Sequence, residues 1–196
     1  MFYKFVRSAI TGPICSGKTT ISDQLKNKGS IIISWDDIYS DLLKHDKLLQ
    51  TRIKTAFSIY DKSGKSETQN IIDSLKSVVF TDKKALAFLN SITHPIISKK
   101  AFEKEKELVK NYESSGQQSP DPDELYPLVV HEVPLLYQAG LQNKFDRIYI
   151  CLAANATLLD RVQKRYDIDK QEAQRRIDAT QFNFPVNDDK VIVVNT

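Results

Sequence analysis

The run Gly12-Pro13-Ile14-Cys15-Ser16-Gly17-Lys18-Thr19 has the spacing G-x-x-x-x-G-K-[ST]. Glycines at both ends of such a loop let backbone N–H groups converge on an anion. The lysine reaches the β- and γ-phosphates of a nucleoside triphosphate, and the threonine hydroxyl is a ligand for Mg²⁺. Strand-forming residues Phe5-Val6-Arg7-Ser8-Ala9-Ile10 precede the loop, and Ile21 and Leu25, four apart, follow it as a buried helix face does. A strand, a loop and a helix N-terminus in that order aim donors and dipole at one point. A chance match in a Gly/Ser-rich turn is the competing reading, and the flanking strand and helix count against it. Pro13 removes one N–H donor and Cys15 fills a slot often held by a small residue, but the four middle positions are free in the pattern.

Asp36 stands just past Ile31-Ile32-Ile33, a buried parallel strand. A carboxylate there can accept a proton from an attacking hydroxyl or hold a metal's water shell. It can equally cap a helix, as can Ser34. Further on, Arg161 and Arg165 are four apart, so both guanidinium groups share one helix face. Asp169-Lys170-Gln171-Glu172 is a capping box that opens a second helix carrying Arg175 and Arg176. Basic helix faces are commonly just solvated. Two arginine-lined helices following a core strand suit a lid over a polyphosphate, because the guanidinium fork pairs with phosphoryl oxygens. Asn143-Lys144-Phe145-Asp146 fits the guanine-reading pattern N-K-x-D, yet it precedes a strand and no D-x-x-G motif accompanies it. It is a coincidence, and GTP specificity does not follow.

The elements that position these residues are five strands: those ahead of the loop and at 31–33, then Leu128 to Pro134, Phe145 to Ala153, and Val191 to Val194. Strands separated by helices predict a five-stranded parallel sheet flanked by helices, with ligands at the strands' C-terminal ends. Residues 1–35 and 128–196 form this nucleotide-binding core, with the lid at about 157–182. Residues 36–110 are mainly helical, with Thr81-Asp82 opening one helix and His94-Pro95 interrupting it. Residues 111–127, rich in Ser, Gly, Gln and Pro, read as a flexible loop.

At 196 residues the chain accommodates one α/β core with helical excursions. A net charge of +3 does not argue for nucleic acid. No run approaches the ~18 apolar residues of a membrane span, and the N-terminus shows no signal-peptide pattern. Two cysteines, Cys15 and Cys151, make neither a disulfide framework nor a metal quartet, which predicts a reduced, cytoplasmic setting. Cys15 is either a reactive thiol at a helix N-terminus or simply a small residue, the second being simpler.

With these segments in place, the chain resembles the dephospho-coenzyme A kinases, relatives of the nucleoside monophosphate kinases. The likeness spans nearly the whole chain: Thr11 with the loop to Thr20, Trp35-Asp36-Asp37-Ile38, Val79-Phe80-Thr81-Asp82, Thr93-His94-Pro95-Ile96-Ile97, Val133-Pro134-Leu135-Leu136-Tyr137-Gln138-Ala139-Gly140, and Asp146-Arg147, Arg161, Arg165, Glu172-Ala173, Arg176-Ile177 and Gln181. The His-Pro and Pro-Leu-Leu-x-x-Ala-Gly segments select the family; the phosphate loop alone names only a superfamily. The resemblance implies phosphoryl transfer from ATP to the ribose 3′-hydroxyl of dephospho-CoA, the final step of coenzyme A synthesis. It implies Asp36 as general base, with Lys18, Arg161 and Arg165 stabilising the transferring group. ATP would be held by Thr11, Gly12, Ile14, Cys15, Ser16, Gly17, Lys18, Thr19, Thr20 and Asn195, with Mg²⁺ on Thr19. The acceptor would meet Asp36, His94, Pro134, Leu135, Leu136 and Tyr137 in the helical region and beside it. No protein, nucleic-acid or membrane partner is implied.

The chain departs from the pattern at Ser34, where the family has a first aspartate, and at Ile72, where it has an arginine. Glu132 replaces a frequent aspartate and Gln138 a glutamate. Two other readings remain open: a different nucleoside or nucleotide kinase on the same scaffold, and a nucleotide-binding module without catalysis.

Overall fold

The computed structural model describes residues 5–57, 82–115, 129–185 and 188–196. Five strands, β1 (Arg7–Thr11), β2 (Ile31–Ser34), β3 (Val129–Glu132), β4 (Arg147–Leu152) and β5 (Val191–Asn195), form one sheet in the order β2-β3-β1-β4-β5. Every pairing is parallel, as the strand–helix alternation predicts. β1 lies in the middle, and Ser8, Ala9, Ile10 and Thr11 are fully buried. Ile10, Leu25, Val130, Tyr149 and Cys151 pack together on one side of it. A central strand covered on both faces buries nearly every side chain, and β1 meets this with the small or short residues Ser8, Ala9 and Thr11 around Ile10.

Register brings the functional strand ends together. Ile10 lies opposite Glu132 and Tyr149, Ser34 opposite Glu132, and Leu152 opposite Asn195. The C-terminal ends of all five strands therefore share one edge of the sheet, and the segments that leave those ends can meet there.

The helices are α1 (Lys18–Asn27), α2 (Trp35–His45), α3 (Lys47–Phe57), α4 (Lys83–Ser114), α5 (Asn155–Tyr166) and α6 (Lys170–Thr180). The chain divides into two compact units, residues 1–36 with 104–196, and residues 37–103. In the second unit Asp82 caps α4, its carboxylate accepting from Lys84 N at 2.8 Å and Ala85 N at 3.2 Å. Leu49, Ile53 and Phe57 of α3 are buried there, and the Phe57 and Phe88 rings lie 5.6 Å apart.

Two expectations change. Pro95 does not interrupt the helix, because α4 runs on through it for 32 residues. Proline removes one backbone donor, while the apolar positions Ala85, Leu89, Ile97 and Ala101 on either side stay buried, so packing carries the helix across. The same helix continues to Ser114, where a loop from residue 111 was expected. The remainder of that loop, the Val79-Phe80-Thr81 segment and Ile72 lie outside the described residues.

Candidate active site

The phosphate loop leaves β1 at Thr11, whose hydroxyl lies 3.4 Å from the Pro134 carbonyl. Gly12 adopts φ 152°, and a Cβ on it would come within 2.3 Å of the Cys151 carbonyl oxygen and 2.5 Å of Ser16 Oγ. No side chain fits, so glycine is a steric requirement. Gly17 has φ 83° and forms the N-cap of α1 in the left-handed region. Cys15 shares that conformation at φ 56° without glycine's freedom.

Neighbouring elements hold the loop backbone in place. Ile14 N donates to Thr180 Oγ1 at the end of α6 (3.0 Å), and Arg161 of α5 donates to the Cys15 carbonyl (3.3 Å). The Thr196 hydroxyl donates to the Ser16 carbonyl at 2.9 Å, and Arg161 also reaches that hydroxyl at 3.3 Å. Ile14 and Cys15 pack on Leu158 and Val162 of α5 and Ala173 and Ile177 of α6. The two helices read as a lid are thus joined to the loop by one apolar cluster and by hydrogen bonds. Asp169 caps α6 as the sequence implies, accepting from Glu172 N at 2.8 Å.

Lys18 bends back across the loop, donating to the Gly12 and Pro13 carbonyls at 2.9 and 2.7 Å. Burial lowers its pKa, against the pull of Glu132 and Asp36 nearby. A half-buried ammonium whose partners are neutral carbonyls is an electrostatic seat for an anion. The buried Ser16 hydroxyl has no hydrogen-bond partner among the described residues, which leaves a polar group inside the loop for a ligand to satisfy.

Thr19 faces the end of β3. Its hydroxyl donates to Glu132 Oε1 at 3.2 Å, and the buried Ser22 hydroxyl donates to Oε2 at 2.8 Å. Glu132 is therefore a site residue that sequence reasoning treated only as a replacement. An acid closing an apolar strand was the available signal. Thr180 and Thr196 were also missed; no local pattern marks them.

Asp36 is exposed, two residues beyond the end of β2 in the first turn of α2, at the same sheet edge as Lys18. Arg165 is exposed and its guanidinium lies 5.7 Å from the Tyr166 ring, whose other cationic neighbour is Arg176 at 5.0 Å. Arg161 and Arg165, placed together on one face by sequence, thus meet different partners. Thr20 and Asn195 are exposed. After β3, Leu136 is fully buried in the core, while Pro134, Leu135 and Tyr137 are half-buried. Tyr137 stacks on Phe182 with ring centroids 5.4 Å apart. His94 belongs to the second unit, where burial lowers its pKa.

The N-K-x-D segment sits at the opposite end of the sheet from the loop. Gln142–Lys144 form a 3₁₀ turn, and Asp146 accepts from Arg7 N at the start of β1 (3.0 Å).

A parallel sheet centred on a strand that feeds a glycine-bounded loop, with Lys18, Thr19 and Glu132 converging on it, defines a P-loop kinase fold. The family model "Dephospho-CoA kinase" matches residues 7–184. The dephospho-CoA kinase of Moorella thermoacetica is 30% identical over 171 residues, 87% of this chain and 74% of that protein. That of Carboxydothermus hydrogenoformans is 31% identical over 172 residues, covering 87% and 75%. Among solved structures, TT1252 from Thermus thermophilus aligns with a TM-score of 0.67 at 22% identity, covering 97% of this chain and 88% of that one. The dephospho-CoA kinase of Campylobacter jejuni aligns at 0.56 and 21%, with the same coverage. These two support the fold. The chain belongs to the dephospho-CoA kinase family, whose reaction closes coenzyme A biosynthesis. It is accordingly an enzyme of the kinase class, using ATP and a small-molecule acceptor. No helix among the described residues is long and apolar enough to cross a membrane.

Proposed function

We propose that this chain transfers the γ-phosphoryl group of ATP to the ribose 3′-hydroxyl of dephospho-CoA in the cytoplasm, with Asp36 as general base. The observation that carries the assignment is the shared edge: Asp36 follows β2 and Lys18 follows β1, the two strands that flank β3. Both lie at the C-terminal ends of the sheet within one compact unit, close enough to interact electrostatically. Asp36, exposed at that edge, takes the proton from the acceptor hydroxyl. The acceptor oxygen then bonds to the γ-phosphorus while the bond to the β–γ bridging oxygen breaks and ADP departs. Lys18 exchanges its carbonyl partners for phosphate oxygens. Arg161, which already touches the loop, and Arg165 offset charge on the transferring group. Loop N–H groups and the N-terminus of α1 hold the remaining phosphates.

Among the described residues no group of three or more His, Cys, Asp or Glu could hold a metal. Mg²⁺ bound with a nucleotide needs only one or two protein oxygens beside phosphates and water. Thr19 and Glu132, hard oxygen donors 3.2 Å apart, fit that requirement and would hold it. When bound there it would neutralise phosphate charge. The acceptor is assigned to Asp36, Pro134, Leu135 and Tyr137. Leu136 supports its neighbours from within the core.

The test is ADP release from Mg-ATP with dephospho-CoA, nucleosides and nucleoside monophosphates in turn. Turnover with dephospho-CoA is expected. Turnover only with a nucleoside or nucleotide would select another acceptor, and none with any acceptor would leave a nucleotide-binding module.

A further inference from the structure

Half-buried Arg7 and buried Glu105, His131 and Trp35, from four elements, form a polar chain outside the residues assigned above to phosphoryl transfer. Arg7 of β1 donates from Nε to Glu105 Oε2 at 2.7 Å, and its second guanidinium nitrogen meets Oε1. Glu105, on α4, also lies 2.8 Å from His131 Nε2 on β3. Trp35 Nε1 donates to His131 Nδ1 at 3.0 Å. Exposure is 1% for Glu105, 0% for His131 and 5% for Trp35. An indole N–H can only donate, so Nδ1 is the acceptor and the ring proton resides on Nε2, facing the carboxylate. A single neutral tautomer satisfies both bonds, and burial, which lowers the imidazole pKa, favours it.

Burying a charged pair with an imidazole is costly where apolar residues of equal volume would pack, so the location of this network is informative. It reaches Trp35, whose chain neighbour is Asp36. β2 passes into α2 without a spacer, Ser34 closing the strand and Trp35 opening the helix. Ser34 pairs with Glu132 of β3, and the Trp35 indole is tied to His131 of the same strand. The backbone that carries Asp36 is thereby referenced twice to β3, the strand that also supplies Glu132 to Thr19.

We propose that Trp35, held by His131, is a positioning residue that sets the placement of the Asp36 carboxylate for proton transfer. This rests on Asp36 being the general base. Two substitutions at residue 131 separate positioning from mere structure. Asn places an amide oxygen near the Nδ1 position and keeps an acceptor for Trp35. Gln places an amide N–H near the Nε2 position and keeps a donor for Glu105, but offers Trp35 nothing. Asn is the smaller by one methylene, so the larger void falls in the variant expected to keep its activity, and a simple packing loss predicts the opposite order.

In full-length protein with Mg-ATP and dephospho-CoA, His131→Gln should lower kcat about 10- to 100-fold, since small misplacements of a catalytic group carry such penalties. The KM for ATP should stay within about twofold, and His131→Asn should keep kcat within about threefold of the parent. Trp35→Phe, which removes only the N–H and part of the ring, should reproduce the Gln result and is the fallback if that variant does not fold. Trp35 is the chain's one tryptophan, so its emission reads the indole directly: shifted in His131→Gln, retained in His131→Asn. Equal kcat losses in Asn and Gln, or a Trp35→Phe variant with parental kcat, would overturn the proposal. An unmutated protein that turns over dephospho-CoA while Asp36→Asn does so equally well would instead overturn the base assignment beneath it.

Discussion

In the proposed mechanism the exposed Asp36 carboxylate takes the proton and the inward-turned Lys18 ammonium meets the phosphates. Asp36→Asn keeps the shape but turns one acceptor oxygen into an amide donor and cannot take a proton. Turnover should fall about 100- to 10,000-fold, the usual worth of a general base, with ATP affinity by equilibrium titration unchanged. Cys15 gives a second prediction. Its left-handed backbone at φ 56° is strained for a residue with a Cβ, but Cys15→Gly should lower stability by about 1 kcal/mol, because losing the side chain packed on α5 and α6 together with glycine's entropy cost exceeds the strain relieved. Chemical denaturation measures it. The loop residues were legible because their spacing is itself the device: Gly12 and Gly17 occupy positions where a Cβ collides or the backbone turns left-handed. Glu132, Thr180 and Thr196 were not. Their roles depend on sheet register and on where distant helices end, which no local run of residues encodes.

At the scale of elements, the loop is anchored to the base of α5 and α6. Thr180→Val keeps the volume but leaves the part-buried Ile14 N–H without its partner, a loss of about 1 kcal/mol. It should raise the KM for ATP more than it lowers kcat, because it loosens the cradle without touching Asp36. Steady-state kinetics with ATP varied distinguish the two. Asp169→Ala removes the α6 cap and should reduce stability by about 1 kcal/mol in thermal or denaturant unfolding. Strands and caps were readable from apolar runs and from Asp82 and Asp169, since each acts within a few residues. The passage of α4 through Pro95 was not, because burial on both sides outweighs one lost hydrogen bond and burial is a property of the folded whole.

For the whole molecule, the polar chain through the sheet makes stability sensitive to acid. Burial lowers the His131 pKa, so below the unfolded value of about 6.5 the unfolded chain binds a proton that the native one refuses. Burial alone would raise the Glu105 pKa, but hydrogen bonds from His131 and Arg7 hold it below its ordinary value, so its contribution also drains away on acidification. Both depressed values contribute stability above the unfolded pKa and lose it as pH falls. Unfolding free energy should be nearly flat above pH 7 and decline steadily below about 6.5, and His131→Asn should flatten the upper part of that decline. An unchanged pH profile in that variant would remove His131 as its source. Sequence gave no hint of this network, since Arg7, Trp35, Glu105 and His131 come from four elements and meet only through tertiary packing.

The most direct test is a single-turnover quench with Mg-ATP and dephospho-CoA, comparing the unmutated protein with Asp36→Asn. The account predicts coenzyme A and ADP formed one for one, and transfer slowed at least about 100-fold by the substitution with ATP still bound. Undiminished transfer in Asp36→Asn, or ADP formed without coenzyme A in the unmutated protein, would contradict it.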